Sequence, residues 1–89
     1  MFLVVVSVET PNGQVAASHL HQVLRDSSAG VDRLQHAHLE VREDAAVFSL
    51  FLQTDDRSAA VRQAHQLCRR TMAAVAPDTA WRMRSTEVL

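Results

Sequence analysis

Three residues whose side chains could coordinate the same metal ion stand at alternate positions of the chain, namely His36, His38 and Glu40. In an extended strand, residues two apart project to the same face. Imidazole and carboxylate groups are accepted ligands of divalent cations, so this row could hold a metal ion. The exposed side of an edge strand explains the same alternation without a metal. We favour that interpretation and predict no metal site.

Cys68 is the single cysteine of the chain. It falls between Ala64 and Met72 on an apolar helical stripe, where a free thiol behaves as a small hydrophobe. A reactive cysteine needs exposure and an activating base, and no histidine shares this stripe. Ser-His-acid spacings and Gly-rich phosphate loops are also absent. We predict no catalytic residue and no cofactor, although an enzyme that uses one histidine and a shaped pocket would leave no motif.

Composition limits the classes of partner. The chain has 89 residues, 47% of them apolar, with a net charge of −1. A phosphate-binding surface needs an excess of basic residues, and a membrane span needs about 20 consecutive apolar residues. Phe48 and Phe51 stand three apart, so they face opposite sides of a strand and do not form the aromatic platform of RNA-binding sheets. We predict that neither nucleic acid nor a membrane is a partner.

Cysteine usage and the first residues bear on location. One cysteine cannot form an internal disulfide. The apolar run that follows Met1 has no basic residue before it and no small-residue cleavage site after it, unlike a signal peptide. All nine basic residues are arginine, which is typical of a GC-rich genome. We expect a cytoplasmic protein of bacterial origin.

Periodicity divides the chain into six elements. The run Phe2 to Glu9 is apolar and β-branched almost without interruption, which indicates a strand buried on both faces. Later segments show helical spacing or strict alternation of apolar residues. The predicted elements are β1 at Phe2 to Glu9, α1 from near Pro11 or Gly13 to Gly30, β2 at Val31 to Arg42, β3 at Ala45 to Gln53, α2 from Thr54-Asp55-Asp56 to Pro77-Asp78, and β4 at Trp81 to Val88.

The order βαββαβ, with right-handed crossovers, folds most economically as a four-stranded antiparallel sheet with both helices on one face. In element order and spacing, residues 1–89 resemble the ferredoxin-like arrangement, an α+β fold, as a single domain. We expect the two most apolar strands, β1 and β3, in the centre of the sheet. The mixed strands β2 and β4 are then its edges.

The sheet face without helices is the candidate site. Its centre is apolar and its edges carry His and Arg, which is the composition of an association surface. We favour homodimerisation by sheet packing, with a small molecule or a partner protein on the same face as the other possibility. The residues predicted on this face are Leu3, Val5, Ser7, His36, His38, Glu40, Val47, Ser49, Phe51, Arg82 and Arg84.

The run from Val8 to Ala16, a strand that ends in a Pro/Gly turn and opens a helix, resembles the first strand-to-helix junction of ACT domains. This resemblance implies a regulatory module that binds an amino acid at a dimer interface. The predicted architecture also resembles dimeric α/β-barrel proteins, some of which are cofactor-independent monooxygenases. We predict a non-catalytic homodimeric module that recognises a small molecule or a partner protein, with such an enzyme as the alternative.

Overall fold

The computed structural model describes residues 1–10, 17–28, 34–75 and 81–89. The expected start of α1 near Pro11, its stop at Gly30, the first residues of β2 from Val31, and the expected end of α2 at Pro77-Asp78 lie outside these ranges. The elements follow in the predicted order. They are β1 (Phe2–Glu9), α1 (Ala17–Ser28), β2 (Leu34–Val41), β3 (Ala45–Leu52), α2 (Arg57–Val75) and β4 (Arg82–Val88).

The strands form one antiparallel sheet in the order β2-β3-β1-β4, which confirms the predicted α+β fold. The central pair is β1 and β3, in continuous register from Phe2 opposite Leu52 to Glu9 opposite Ala45. The mixed strands β2 and β4 are the edges, as expected. A central strand has a neighbour on each side, so it shields apolar side chains on both of its faces better than an edge strand does.

The β2–β3 hairpin turns at its expected tip, Arg42-Glu43-Asp44. The Arg42 N–H donates to the Ala45 carbonyl at 2.7 Å and closes the turn. The Thr10 N–H donates to the Asp44 carbonyl at 2.9 Å, which ties the end of β1 to the same tip. Turn geometry helps to fix strand register, so these bonds help to decide which side chains share a face.

Strand β4 contains an irregularity that its sequence pattern did not predict. Its register against β1 shifts so that Ser7 lies opposite Ser85 while Val8 lies opposite Met83. Arg84 is therefore the extra residue of a bulge. Because side chains alternate with a period of two, one inserted residue exchanges the faces of all that follow it.

Helix α2 begins at the cap predicted for it. The Asp56 carboxylate accepts a hydrogen bond from the Ser58 N–H at 3.0 Å, and the Asp56 carbonyl accepts the Ala60 N–H at 3.0 Å. The Thr54 hydroxyl oxygen accepts the Asp56 N–H at 3.4 Å. Asp is a preferred N-cap because its side chain satisfies an amide of the first turn that has no helical partner.

A core cluster lies between the two helices and one face of the sheet. It joins the buried valines of β1 and Phe48 of β3 to Leu20 and Leu24 of α1. Both helices therefore cover the same face. Across the described ranges, neither helix has the length and apolarity needed to cross a membrane. The α2 residues buried in this region confirm the predicted stripe and are Ala60, Ala64, Leu67, Cys68, Thr71 and Met72.

Candidate association surface

The open face is the side of the sheet opposite the helices. Along β1, the even-numbered valines are fully buried against the helices, whereas the residues between them are partly exposed. Strand β3 alternates in the same way around the fully buried Phe48 and Leu50. The centre of the open face therefore has an apolar, half-buried surface. Its six residues are Leu3, Val5, Ser7, Val47, Ser49 and Phe51.

Cross-strand pairing arranges nine of the predicted residues in three rows. Residues directly opposite each other on neighbouring strands have Cβ atoms about 5 Å apart, so neighbouring members of a row lie close to each other. Each row starts with an exposed polar residue of β2 and ends on β1. The rows are His36–Phe51–Leu3, His38–Ser49–Val5 and Glu40–Val47–Ser7.

Strand β4 extends the open face on its other side. Arg82 lies opposite Glu9, as expected for a residue of this face. After the bulge, Ser85 and Glu87 stand beside the third and second rows. Arg84, which the sequence pattern assigned to the same face, is the exposed bulge residue and has no partner in the β1–β4 register. Sequence reasoning missed Ser85 and Glu87 because a bulge leaves no signal in the hydrophobic pattern.

Two ion pairs flank the open face. Arg82 Nε lies 3.4 Å from Glu9 Oε2, and Arg42 Nη2 lies 3.3 Å from Glu40 Oε2. All four side chains are at least 40% exposed, so each pair contributes about 1 kcal/mol at most to stability. Their main effect is on the pattern of surface charge, because positive and negative side chains alternate along the edges of the open face. Glu9 could have been found from the sequence, because it stands two residues beyond Ser7 on the same strand.

The first two rows each place a histidine of β2 beside the apolar centre of the open face. The His36 and Phe51 rings lie 5.9 Å apart between centroids at an interplanar angle of 53°, a tilted aromatic contact. His38 stands opposite Ser49 and is exposed. Within the described ranges, no group of three or more His, Cys, Asp and Glu side chains is arranged to hold a metal ion.

Cys68 lies away from the open face, fully buried in the core. Burial raises the pKa of its thiol from 9.0 to about 12, because the apolar surroundings disfavour the thiolate. The thiolate is the nucleophile, so the group is both shielded and protonated at neutral pH. The predicted burial of Cys68 on the apolar stripe of α2 is confirmed.

The described interior between helices and sheet is apolar. Its buried polar residues are Thr10, Thr54 and Thr71, and the Thr71 hydroxyl donates to the Leu67 carbonyl at 2.8 Å. A ligand pocket in this layer would be expected to place a His or Arg inward. The buried residues of the described ranges include neither.

His65 is half-buried at the border of the α2 stripe. Its Nε2 atom lies 2.6 Å from the Thr86 hydroxyl oxygen, within hydrogen-bonding distance. This contact fastens α2 to the edge strand β4. It depends on the bulge, which turns Thr86 toward the helices while its neighbour Ser85 joins the open face.

No protein-family model matches the chain, and no curated protein matches it significantly.

Proposed function

We propose that this protein is a non-catalytic binding module that forms a homodimer through its open face. The observation that supports the proposal is the apolar centre of that face, where Leu3 pairs directly with Phe51, followed by Val5 in the second row and Val47 in the third. These side chains are partly exposed on the side without helices. Packing them against a second copy would remove this surface from water, which is favourable in proportion to apolar area.

The size of the open face suits a weak dimer. Four strands about 4.8 Å apart, each roughly seven residues long at ~3.3 Å per residue, give a plan area of roughly 450 Å² per copy. Two copies would bury on the order of 1,000 Å² in total, near the lower limit of specific interfaces. We therefore expect a monomer–dimer equilibrium in the micromolar range rather than a permanent dimer.

Association by the open face is favoured over pairing of sheet edges. Strand β4 carries the Arg84 bulge, and the register of β2 shifts between Leu34 and His36. Irregular, charged edges resist the addition of another strand. Both edges of this sheet are therefore protected, whereas its face is not.

The residue pattern also selects an orientation for the dimer. If the two-fold axis runs along the strands, β3 of one copy lies over β1 of the other, and Phe51 meets Leu3. The same operation places His38 over Glu87 of the second copy, which joins a basic group to an acidic one. An axis across the strands at the level of the second row would instead place His38 over His38 and Leu3 over Ser7 of the second copy, which is less favourable because it sets an apolar side chain against a polar one.

Light scattering after size exclusion tests the dimer. The mass should rise from near 10 kDa toward twice that value as concentration rises through the micromolar range. Phe51→Arg should abolish the rise, because it would bury a charge without a partner. Gln22→Arg adds the same charge on exposed α1 and should leave the rise unchanged. A wild-type mass fixed at that of the monomer across this range would overturn the proposal.

Disulfide trapping tests the orientation. His38→Cys combined with Glu87→Cys should form covalent dimers on mild oxidation, whereas each single variant should not. The two positions lie on opposite edge strands, about 14 Å apart in one copy, too far for a disulfide within the chain. Cys68 can stay in place because its buried thiol does not compete. Covalent dimers of the His38→Cys single variant would instead indicate the axis across the strands.

A regulatory role in the bacterial cytoplasm is part of the proposal. Its support is the free, buried Cys68, which suits a reducing compartment, and the arginine-only set of basic residues. The resemblance of Val8 to Ala16 to ACT domains implies an amino acid as the small molecule, although most of this run lies outside the described residues. Thermal shift with single amino acids tests this ligand class, and a midpoint unmoved by all of them at millimolar concentration would exclude it.

A further inference from the structure

A net charge of −1 hides a separation of charge between the layers of the fold. Within the described ranges, the two helices carry five arginines and a single acidic residue, Asp26. The strands and connections carry three arginines and seven acidic residues. The helix layer is therefore strongly positive, while the rest of the described molecule is negative. The prediction against nucleic acid rested partly on net charge, which does not reveal this distribution.

The arginine stripe is the exposed side of α2 formed by Arg62, Gln66, Arg69 and Arg70. Its first three members are spaced i, i+4 and i+7, so they follow one line on the side opposite the buried stripe. Helix α2 contains no acidic residue over its 19 positions. The stripe therefore has no intrahelical ion pair, although a solvent-exposed helix commonly has charges of both signs three or four residues apart.

Two guanidinium groups of the stripe, those of Arg62 and Arg69, are available to a partner. Arg70 donates to the Ser27 carbonyl of α1 at 3.4 Å, which fastens one helix to the other. Within the described part of the chain, Arg62 and Arg69 have no hydrogen bond or ion pair. Neighbouring like charges destabilise a helix, so the stripe has a cost in the isolated protein.

We propose that the arginine stripe binds an acidic helical segment of a partner protein. Arg62 and Arg69 are two helical turns apart, about 10.5 Å along the axis, which matches carboxylates at i and i+7 of a facing helix. Guanidinium and carboxylate groups form two parallel hydrogen bonds, which gives such a contact geometric specificity.

Other anionic partners fit the stripe less well. A membrane-binding helix places large apolar side chains beside its basic ones, and the exposed neighbours on this side are small, such as Ala73. Single-stranded nucleic acid is held by stacking on aromatic side chains, whereas α2 has no Phe, Tyr or Trp and its one histidine, His65, contacts Thr86 of β4. The negative charge elsewhere on the molecule would also repel a long phosphate polymer.

A binding experiment with one probe and one matched control tests the proposal. The probe is a fluorescein-labelled, alanine-based helical peptide about 20 residues long with Glu at i, i+4 and i+7, and the control peptide carries Gln at those positions. Fluorescence anisotropy should show binding of the Glu peptide alone. The affinity should fall about tenfold or more between ~0.05 M and ~0.3 M salt, since exposed charges are screened.

Substitutions within the stripe separate binding from folding. Arg62→Ala and Arg69→Ala should each weaken binding of the Glu peptide about five- to tenfold, whereas Arg42→Ala at the hairpin should leave the affinity unchanged. Gln66→Glu should raise the thermal midpoint, because its carboxylate would pair with arginines three and four residues away. It should nevertheless weaken binding of the Glu peptide more than either alanine variant does, because its carboxylate would pair with the arginines that the peptide needs.

Several outcomes would overturn this inference. They are equal binding of the Gln peptide, unchanged binding by the two alanine variants, or tighter binding of a DNA oligonucleotide or of phosphatidylserine vesicles than of the Glu peptide. The arginine stripe lies on the far side of the molecule from the open face, so a monomer should bind as well as a dimer. A monomeric mass would thus contradict the proposed dimer without affecting the proposed peptide binding. Failure to bind the Glu peptide would contradict the role of the arginine stripe without affecting the proposed dimer.

Discussion

The two faces of the sheet are built from the same strands, yet they have different chemistry. On the covered face, Val6 and Phe48 pair across β1 and β3 and are fully buried by the helices. One residue along each strand, Val5 and Ser49 pair on the open face and are partly exposed. The covered face contains most of the apolar side chains that stabilise the fold, whereas the open face keeps apolar surface that the isolated chain does not use. This difference points to association.

The largest contrast should come from the two phenylalanines of β3. Phe48→Ala should lower the free energy of unfolding by about 3–5 kcal/mol, because it leaves a cavity in a packed core. Phe51→Ala should lower it by about 1 kcal/mol or less and mainly weaken the proposed dimer. Urea denaturation at concentrations where the protein is monomeric measures both values. Equal losses would mean that the two faces do not differ as described.

A hydroxyl group distinguishes the faces without changing side-chain size. Val6→Thr should cost about 1–3 kcal/mol, because the buried hydroxyl would lack a partner. Val5→Thr should stay within about 0.5 kcal/mol of wild type, since water reaches the open face of the monomer. The same denaturation experiment applies, and a stable Val6→Thr variant would show that water or a polar group reaches the core.

The buried thiol of Cys68 should make the stability of the fold depend on pH. In the unfolded chain its thiol ionises near pH 9.0, while in the fold its pKa is about 12, so stability should fall as pH rises from 9 toward 12. The chain has no Lys or Tyr, so few other groups titrate in this window. Cys68→Ala should cost about 1 kcal/mol at neutral pH and flatten the profile.

Thiol labelling supplies the matching measurement on the two faces. At neutral pH the native Cys68 should not react with a thiol reagent, whereas a Ser49→Cys variant should react at its new position within minutes. Dilution should speed the reaction at position 49, because the proposed dimer covers this position and the monomer exposes it. Rapid reaction of native Cys68 would contradict the burial that raises its pKa.

The smallest effect should come from the residues after the bulge. Thr86→Val should cost about 0.5–1 kcal/mol, because it removes the hydrogen bond to His65. Ser85→Ala, one residue earlier but on the open face, should have almost no effect on the monomer. If the two substitutions had equal effects, the exchange of faces at Arg84 would be wrong.

Most of the fold could be predicted because its elements follow local rules. The uninterrupted apolar run of β1, the Asp56 cap and the charged tip from Arg42 to Asp44 act within a few residues, so the sequence contains their whole cause. Which residues of β1, β2 and β3 share the open face also followed from alternation along each strand, whereas their rows needed the register that the structure shows. Ser85 and Glu87 were missed because their places depend on the bulge in β4, whereas Glu9 could have been found from the alternation along β1.

The sequence by itself determined the order of the elements and which side of each strand is apolar. Period-two and helical spacing are properties of the local backbone and need no partner. The tertiary structure alone decided the position of the bulge at Arg84 and the contact between His65 and Thr86. Each of these depends on groups far apart in sequence, whose distances are set by packing and not by local periodicity.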